Sequence, residues 1–107
     1  MKQGIWLSYD LGVKGDYEGL YKWLDQREAR ECGDSLAWLR IEYSDDVFAE
    51  VRDSLFTNVK MTDASRFYMI AKDKEGKIKG RFIIGGRKVP PWTGYDPQKQ
   101  ISPPDES

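Results

Sequence analysis

The feature that most limits how this chain can fold is a switch of hydrophobic period near its start. Ile5, Leu7, Tyr9 and Leu11 fall on one side of a two-residue alternation, and Trp6, Ser8 and Asp10 fall on the other. That is the pattern of a β-strand with one face toward a core. Gly12-Val13-Lys14-Gly15 reads as a loop, and Asp16 is a good N-cap residue. Tyr17, Leu20, Tyr21 and Leu24 then recur at helical spacing, which predicts an amphipathic helix from residue 17 to about 29. Gly19 weakens this helix slightly, and Gly33 lies in a short turn past its end.

The alternation returns between Ser35 and Tyr43, with Ala37, Leu39, Ile41 and Tyr43 on one face and Trp38, Arg40 and Glu42 on the other. A short strand around Ala29–Cys32 is expected to pair with it through a two-residue turn at Gly33-Asp34. Ser44-Asp45-Asp46 supplies an N-cap and an acidic first turn for a second helix, whose buried stripe is Val47, Phe48, Val51, Leu55 and Val59. Strands at 65–72 and 77–84 are joined across Asp73-Lys74-Glu75-Gly76. The last of them places Ile78, Phe82 and Ile84 on one side and Lys77, Lys79, Arg81 and Ile83 on the other. This order predicts an α+β chain, the β-α-β-β-α-β arrangement of the ferredoxin-like fold with one strand appended. The domain spans residues 1–88. Residues 89–107 are an extended arm after the Gly85-Gly86 hinge, and its end through Ser102-Pro103-Pro104 is expected to be disordered.

In such a fold the helices cover Ile5, Leu7 and Tyr9 with Leu39 and Ile41. Trp6 and Trp38, with Tyr68 and Ile70, are left on the open sheet face. That patch is larger than most monomers expose. A homodimer packing the two open faces together is the economical solution. Asp10 shares that face, so two copies could meet across the two-fold axis.

Composition removes several chemistries. The chain has no histidine, so a Ser-His-Asp triad, a Cys-His dyad and a histidine zinc site cannot form within it. Cys32 is the only cysteine, so no intrachain disulfide forms, and a reducing cytoplasm is the expected compartment. Cys32 has no adjacent base and sits beside Glu31 and Asp34, which disfavours a nucleophilic thiolate. No apolar run suits a membrane span, and the start at Met1-Lys2-Gln3-Gly4 lacks the pattern of a signal peptide. The net charge of −1 conceals a polarity along the chain. Residues 1–59 carry seven basic and twelve acidic groups, whereas residues 60–88 carry nine basic and three acidic. Such segregation builds either a basic patch or an ordinary solvated face.

Leu7-Ser8-Tyr9-Asp10-Leu11, then Gly15-Asp16-Tyr17-Glu18-Gly19-Leu20-Tyr21, and a Ser35-Leu36-Ala37-Trp38 strand carry a resemblance. With the acid-capped second helix and the closing hairpin, the chain resembles the Cas-two-like group over residues 4 to about 84. This group comprises small CRISPR-associated dimeric nucleases and toxin–antitoxin relatives, some labelled SinR-like. The resemblance implies a ferredoxin-like homodimer whose strand-one aspartates hold Mg2+ and cut phosphodiester bonds in RNA or DNA. It also implies a scaffold role in which cleavage is not required. Only Asp10 matches the catalytic, metal-holding position cleanly, and Ser35 corresponds loosely to a family serine. The chain departs from the group in its acidic balance and its acidic first helix.

Each candidate has two readings. Asp10 either contributes one of two carboxylates to a Mg2+ site or accepts hydrogen bonds from the turn after it. Lys77, Lys79 and Arg81, extended by Arg87 and Lys88, either contact nucleic-acid phosphates or protect an edge strand from unwanted pairing. Trp92 and Tyr95 either stack on a base or dock a protein partner, or they pin the arm to the domain or a neighbouring subunit. Three functions are therefore open: a metal-dependent endonuclease dimer, a non-catalytic nucleic-acid-binding dimer, and a protein-interaction module.

Overall fold

The computed structural model of the chain describes residues 1–98. The first alternating run forms β1 (Lys2–Asp10), and the helical pattern after it forms α1 (Tyr17–Gln26). There follow β2 (Arg30–Glu31), β3 (Leu36–Glu42), α2 (Val47–Asn58), β4 (Arg66–Lys72) and β5 (Ile78–Ile84). The result is an α+β fold with a five-stranded antiparallel sheet in the order β2-β3-β1-β4-β5 and two helices.

β1 is paired on both edges, so its alternation sets the faces of its neighbours. Ile5 stands opposite Leu39, and Leu7 stands opposite both Ala37 and Met69. All five are buried, together with Leu20, Trp23 and Leu24 of α1 and Val47, Phe48, Val51 and Leu55 of α2. Fully burying side chains of this kind is worth about 1.5–3 kcal/mol each. On the other face Trp6 stands opposite Trp38 and Ile70, Ser8 opposite Tyr68, and Asp10 opposite Arg66. Trp6, Trp38, Tyr68 and Ile70 therefore share the uncovered face, as the alternation predicts.

The helix faces differ from expectation in one respect. Tyr21 is 53% exposed, and Trp23 takes the core position beside Leu20 and Leu24. Trp23 is tolerated there because its indole N–H donates to Ser54 Oγ at 2.9 Å. The Arg27 guanidinium stacks over the same ring at 4.2 Å and donates to the Trp23 carbonyl. α1 also ends earlier than its spacing suggests, because Glu28 turns to a left-handed φ of 53°. The link from β2 to β3 is longer than a two-residue hairpin. Glu31 is the last paired residue of β2, and the turn contains Gly33 and Ser35, both at positive φ.

β5 departs most from its sequence pattern. Tyr68 pairs with Phe82 but Phe67 pairs with Ile84, so Ile83 is an extra residue at a bulge. The bulge returns Ile84 to the core, leaving Ile78 and Phe82 on the open face with Tyr68 and Ile70. Lys79 and Arg81, opposite Ala71 and Met69, lie on the helix side.

Asp16 joins the two helices. Its carboxylate caps α1 by accepting from the Gly19 N–H and also accepts from the Lys60 N–H beyond α2, both at 2.9 Å. Gly19 is required here, since a Cβ would lie 2.3 Å from Asp16 Oδ2 and 3.0 Å from the Asn58 carbonyl oxygen. The Lys60 amide, then the Gly19 amide, hold the Asp16 carboxyl below its ordinary range. A lowered carboxyl contributes stability that is full above its unfolded value of ~3.9 and is lost as pH falls through the folded value. Asp16→Ala should lower the melting temperature at neutral pH by roughly 3–8 °C. In thermal unfolding monitored by circular dichroism, that difference should shrink as the pH is brought to about 3.

Candidate functional site

Cross-strand register brings together the groups that local sequence keeps apart. Asp10 ends β1 and Arg66 begins β4, and antiparallel pairing sets them opposite each other on the open face. Arg66 Nη2 donates to Asp10 Oδ2 at 3.2 Å, and the Gly12 N–H donates to Asp10 Oδ1 at 3.1 Å. Lys88 Nζ stands 4.0 Å from the same Oδ2. The Gly12 amide, then the Arg66 hydrogen bond, hold the Asp10 carboxyl below its ordinary range. Asp10 is therefore ionised at neutral pH, and cations and a turn amide answer its charge.

This arrangement bears on the expected Mg2+ site. Magnesium needs oxygen ligands and strongly disfavours adjacent cations. Among the described residues no three acidic or thiol groups gather as a metal cluster. The charged partners of Asp10 are Arg66 and Lys88. The residues of one chain do not fit a divalent ion here. A second copy of Asp10 would have to arrive and Arg66 would have to leave. Ser35, the loosely matching serine, is an exposed turn residue with φ 63°, and its carbonyl accepts from the Tyr9 N–H.

The expected basic stripe divides in two. Lys77 lies 3.7 Å from Glu75, Lys79 lies 3.4 Å from Asp73, and Arg81 stacks over the Phe48 ring at 4.6 Å. These three are engaged at the edge strand or on the helix side, away from Asp10. Arg87 and Lys88 instead approach the open face. Arg87 lines a cleft of about 270 Å³ with Ser8, Asp10, Arg66, Tyr68 and Phe82. The bulge in β5 is what separates the two groups.

The open face has an apolar centre and a cationic margin. Trp6 remains 43% exposed, and Ile78 70%. The Trp38 ring leans over Gly4, and the Tyr68 ring lies over Gly80. A Cβ on either glycine would lie 2.7 Å from the ring above it. The missing side chains thus give the aromatic rings their seats. Tyr68 meets Phe82 edge-on at 4.9 Å. Around this centre the strands present Lys2, Arg30, Arg40, Arg66 and Lys72 against Glu42 and Asp10. α1 and α2 carry the opposite bias, each with two acidic groups and one basic, after acidic caps at Asp16 and Asp46. Arg30, Arg40 and Arg66 escape a search of the sequence for charge runs, because each stands alone and only the sheet register groups them.

The C-terminal arm does not pack on the domain through its aromatic residues. Trp92 is 71% exposed and Tyr95 83%, within turns closed by Thr93 N–H to the Pro90 carbonyl and Tyr95 N–H to the Trp92 carbonyl. The expected disorder around Ser102-Pro103-Pro104 falls outside the described residues. Cys32 is exposed and free. No described helix is long and apolar enough to cross a membrane.

No protein-family model, curated protein or solved structure matches this chain.

The Asp10–Arg66 pair is half-exposed, so its contribution is that of a surface ion pair, about 0.2–1 kcal/mol. Asn at position 10 still offers an oxygen to the Gly12 amide. Asp10→Asn should therefore lower the melting temperature by no more than a few degrees at pH 7. Because the Asp10 carboxyl is lowered, the difference should begin to shrink near the unfolded value of ~3.9 and vanish as pH falls through the folded value. A difference that does not shrink as the pH is lowered would refute the ion-pair account.

Proposed function

We propose that this chain is a homodimeric nucleic-acid-binding module of Cas-two-like, ferredoxin-like form, which holds RNA or DNA without cutting it. The observation that carries this reading is the open sheet face, apolar at its centre and cationic at its margin, set against an acidic helical layer. The strand order β2-β3-β1-β4, with β5 appended, supports the ferredoxin-like part of the reading. Pairing two open faces would bury Trp6, Trp38, Tyr68 and Ile70, and would leave a belt of arginines and lysines around the seam. Phosphates neutralised by such a belt release counterions, which makes binding strongly salt-dependent.

The endonuclease alternative asks Asp10 to give up Arg66 for Mg2+, and the cations about it oppose that exchange. A protein partner seated on the arm is a second reading, favoured by the exposure of Trp92 and Tyr95.

Light scattering on the purified chain should report a dimer, and Trp6→Asp should yield a folded monomer. Fluorescence polarisation with short RNA and DNA should give affinities that fall steeply from ~50 to ~200 mM salt. Arg40→Glu should weaken binding by about tenfold, the equivalent of ~1.4 kcal/mol, while Lys79→Glu, on the helix side, should change it little. Mg2+-dependent cutting that disappears in Asp10→Asn would restore the nuclease reading. No nucleic-acid affinity at low salt would leave the protein-partner reading.

A further inference from the structure

We propose that the cleft at the Asp10 end of β1 is a phosphate-monoester site, and that it takes the 5′-terminal phosphate of a nucleic-acid strand. It rests on the preceding reading only for what carries the phosphate. The site itself follows from unbalanced charge and unused donors. Arg66 and Lys88 meet a single carboxylate, Asp10, and Arg87 lines the cleft beside it. The guanidinium carbons of Arg66 and Arg87 stand 5.9 Å and 5.7 Å from the centre of the same Phe82 ring. Like charges gathered on one small cleft repel unless an anion lies among them, and Asp10 offsets only one of the three.

The donor inventory agrees. Arg66 spends Nη1 on the Gly86 carbonyl at 3.3 Å and Nη2 on Asp10 at 3.2 Å. Its Nε–H is buried and has no partner among the described residues. Arg87 has neither an acidic partner nor a hydrogen bond among the described residues. The Nε–H has almost no accessible surface and stays out of a ligand's reach, so the donors left for a tetrahedral oxyanion are the Arg87 fork and the second N–H on each Arg66 Nη. Ser8, on the same wall, adds a hydroxyl donor.

The excess of about two positive charges selects among phosphates. A terminal monoester carries nearly two negative charges at neutral pH, whereas a backbone diester carries one. The cleft of about 270 Å³ is ample for a phosphate with part of its ribose. Phe82, which is not among the residues the dimer would bury, offers an aromatic wall beside the phosphate position for the first nucleoside. In this arrangement Asp10 is an internal counter-anion. It holds the Arg66 fork in place and competes with the incoming phosphate.

The test compares one oligonucleotide with a 5′-phosphate or a 5′-hydroxyl, labelled at its 3′ end, by polarisation at fixed salt. Inorganic phosphate and a nucleoside 5′-monophosphate are run beside them in thermal-shift assays. The 5′-phosphorylated strand should bind about fivefold to tenfold more tightly. Arg87→Gln should erase that preference, weakening the 5′-phosphorylated strand far more than the 5′-hydroxyl strand. Asp10→Asn, which removes the competing carboxylate, should enlarge the preference, whereas a metal-ligand role would predict loss. Equal affinity for the two strands overturns the proposal, even if salt-dependent nucleic-acid binding persists. Stabilisation by phosphate or the monophosphate that Arg87→Gln abolishes, with no binding of either strand, keeps the site and assigns it to a free phosphate compound. In that case the nucleic-acid reading fails. No response to any of the four ligands overturns the site itself.

Discussion

Antiparallel pairing of β1 on both of its edges is the constraint on which the rest of the molecule depends. β3 lies on one side and β4 on the other, and residues opposite one another share a face. Ile5 and Leu7 therefore pull Leu39, Ala37 and Met69 into a single core beneath the helices. By the same geometry Trp6 collects Trp38 and Ile70, and Asp10 collects Arg66, on the uncovered side. A slip of one residue would exchange the two sets and expose the core, so the buried face holds the register of the open one.

That register also sorts charge. The chain carries 17 basic and 18 acidic groups, and its near-neutrality conceals a cationic sheet face opposed to acidic helices. The distribution along the chain is a poor guide to this. The basic stretch 60–88 sends Lys79 and Arg81 to the helix side, while Arg30 and Arg40 join the open face from the acidic half. Asp10 illustrates the consequence for chemistry. A strand-end carboxylate takes its chemistry from its immediate neighbours. Here a turn amide and a guanidinium reach it within 3.2 Å.

The elements were legible from the sequence because hydrophobic period and capping residues act locally. Alternation located the strands, and Asp16 and the Ser44-Asp45-Asp46 run marked the helix starts, the second cap falling on Asp46. Assignments that depended on partners were less secure. Tyr21 and Trp23 both suit the buried face of α1, and the choice between them rests on Ser54 and Arg27, one of them on another helix. The alternation of β5 could not reveal a bulge, since an extra residue is extra only relative to the strand it pairs with. Half of the phosphate cleft was hidden for the same reason. Arg66 stands 56 residues from Asp10, and nothing near either position announces the other.

By itself, then, the sequence determined the element types and the two faces of β1, β3 and β4, because side chains alternate across an unbroken strand whatever it pairs with. It also determined the absence of histidine chemistry and the position of Asp10 at a strand end. Only the tertiary structure decided what Asp10 faces and which basic residues approach it. Those outcomes come from register between distant strands and from the bulge in β5, neither of which is encoded in any local stretch of chain.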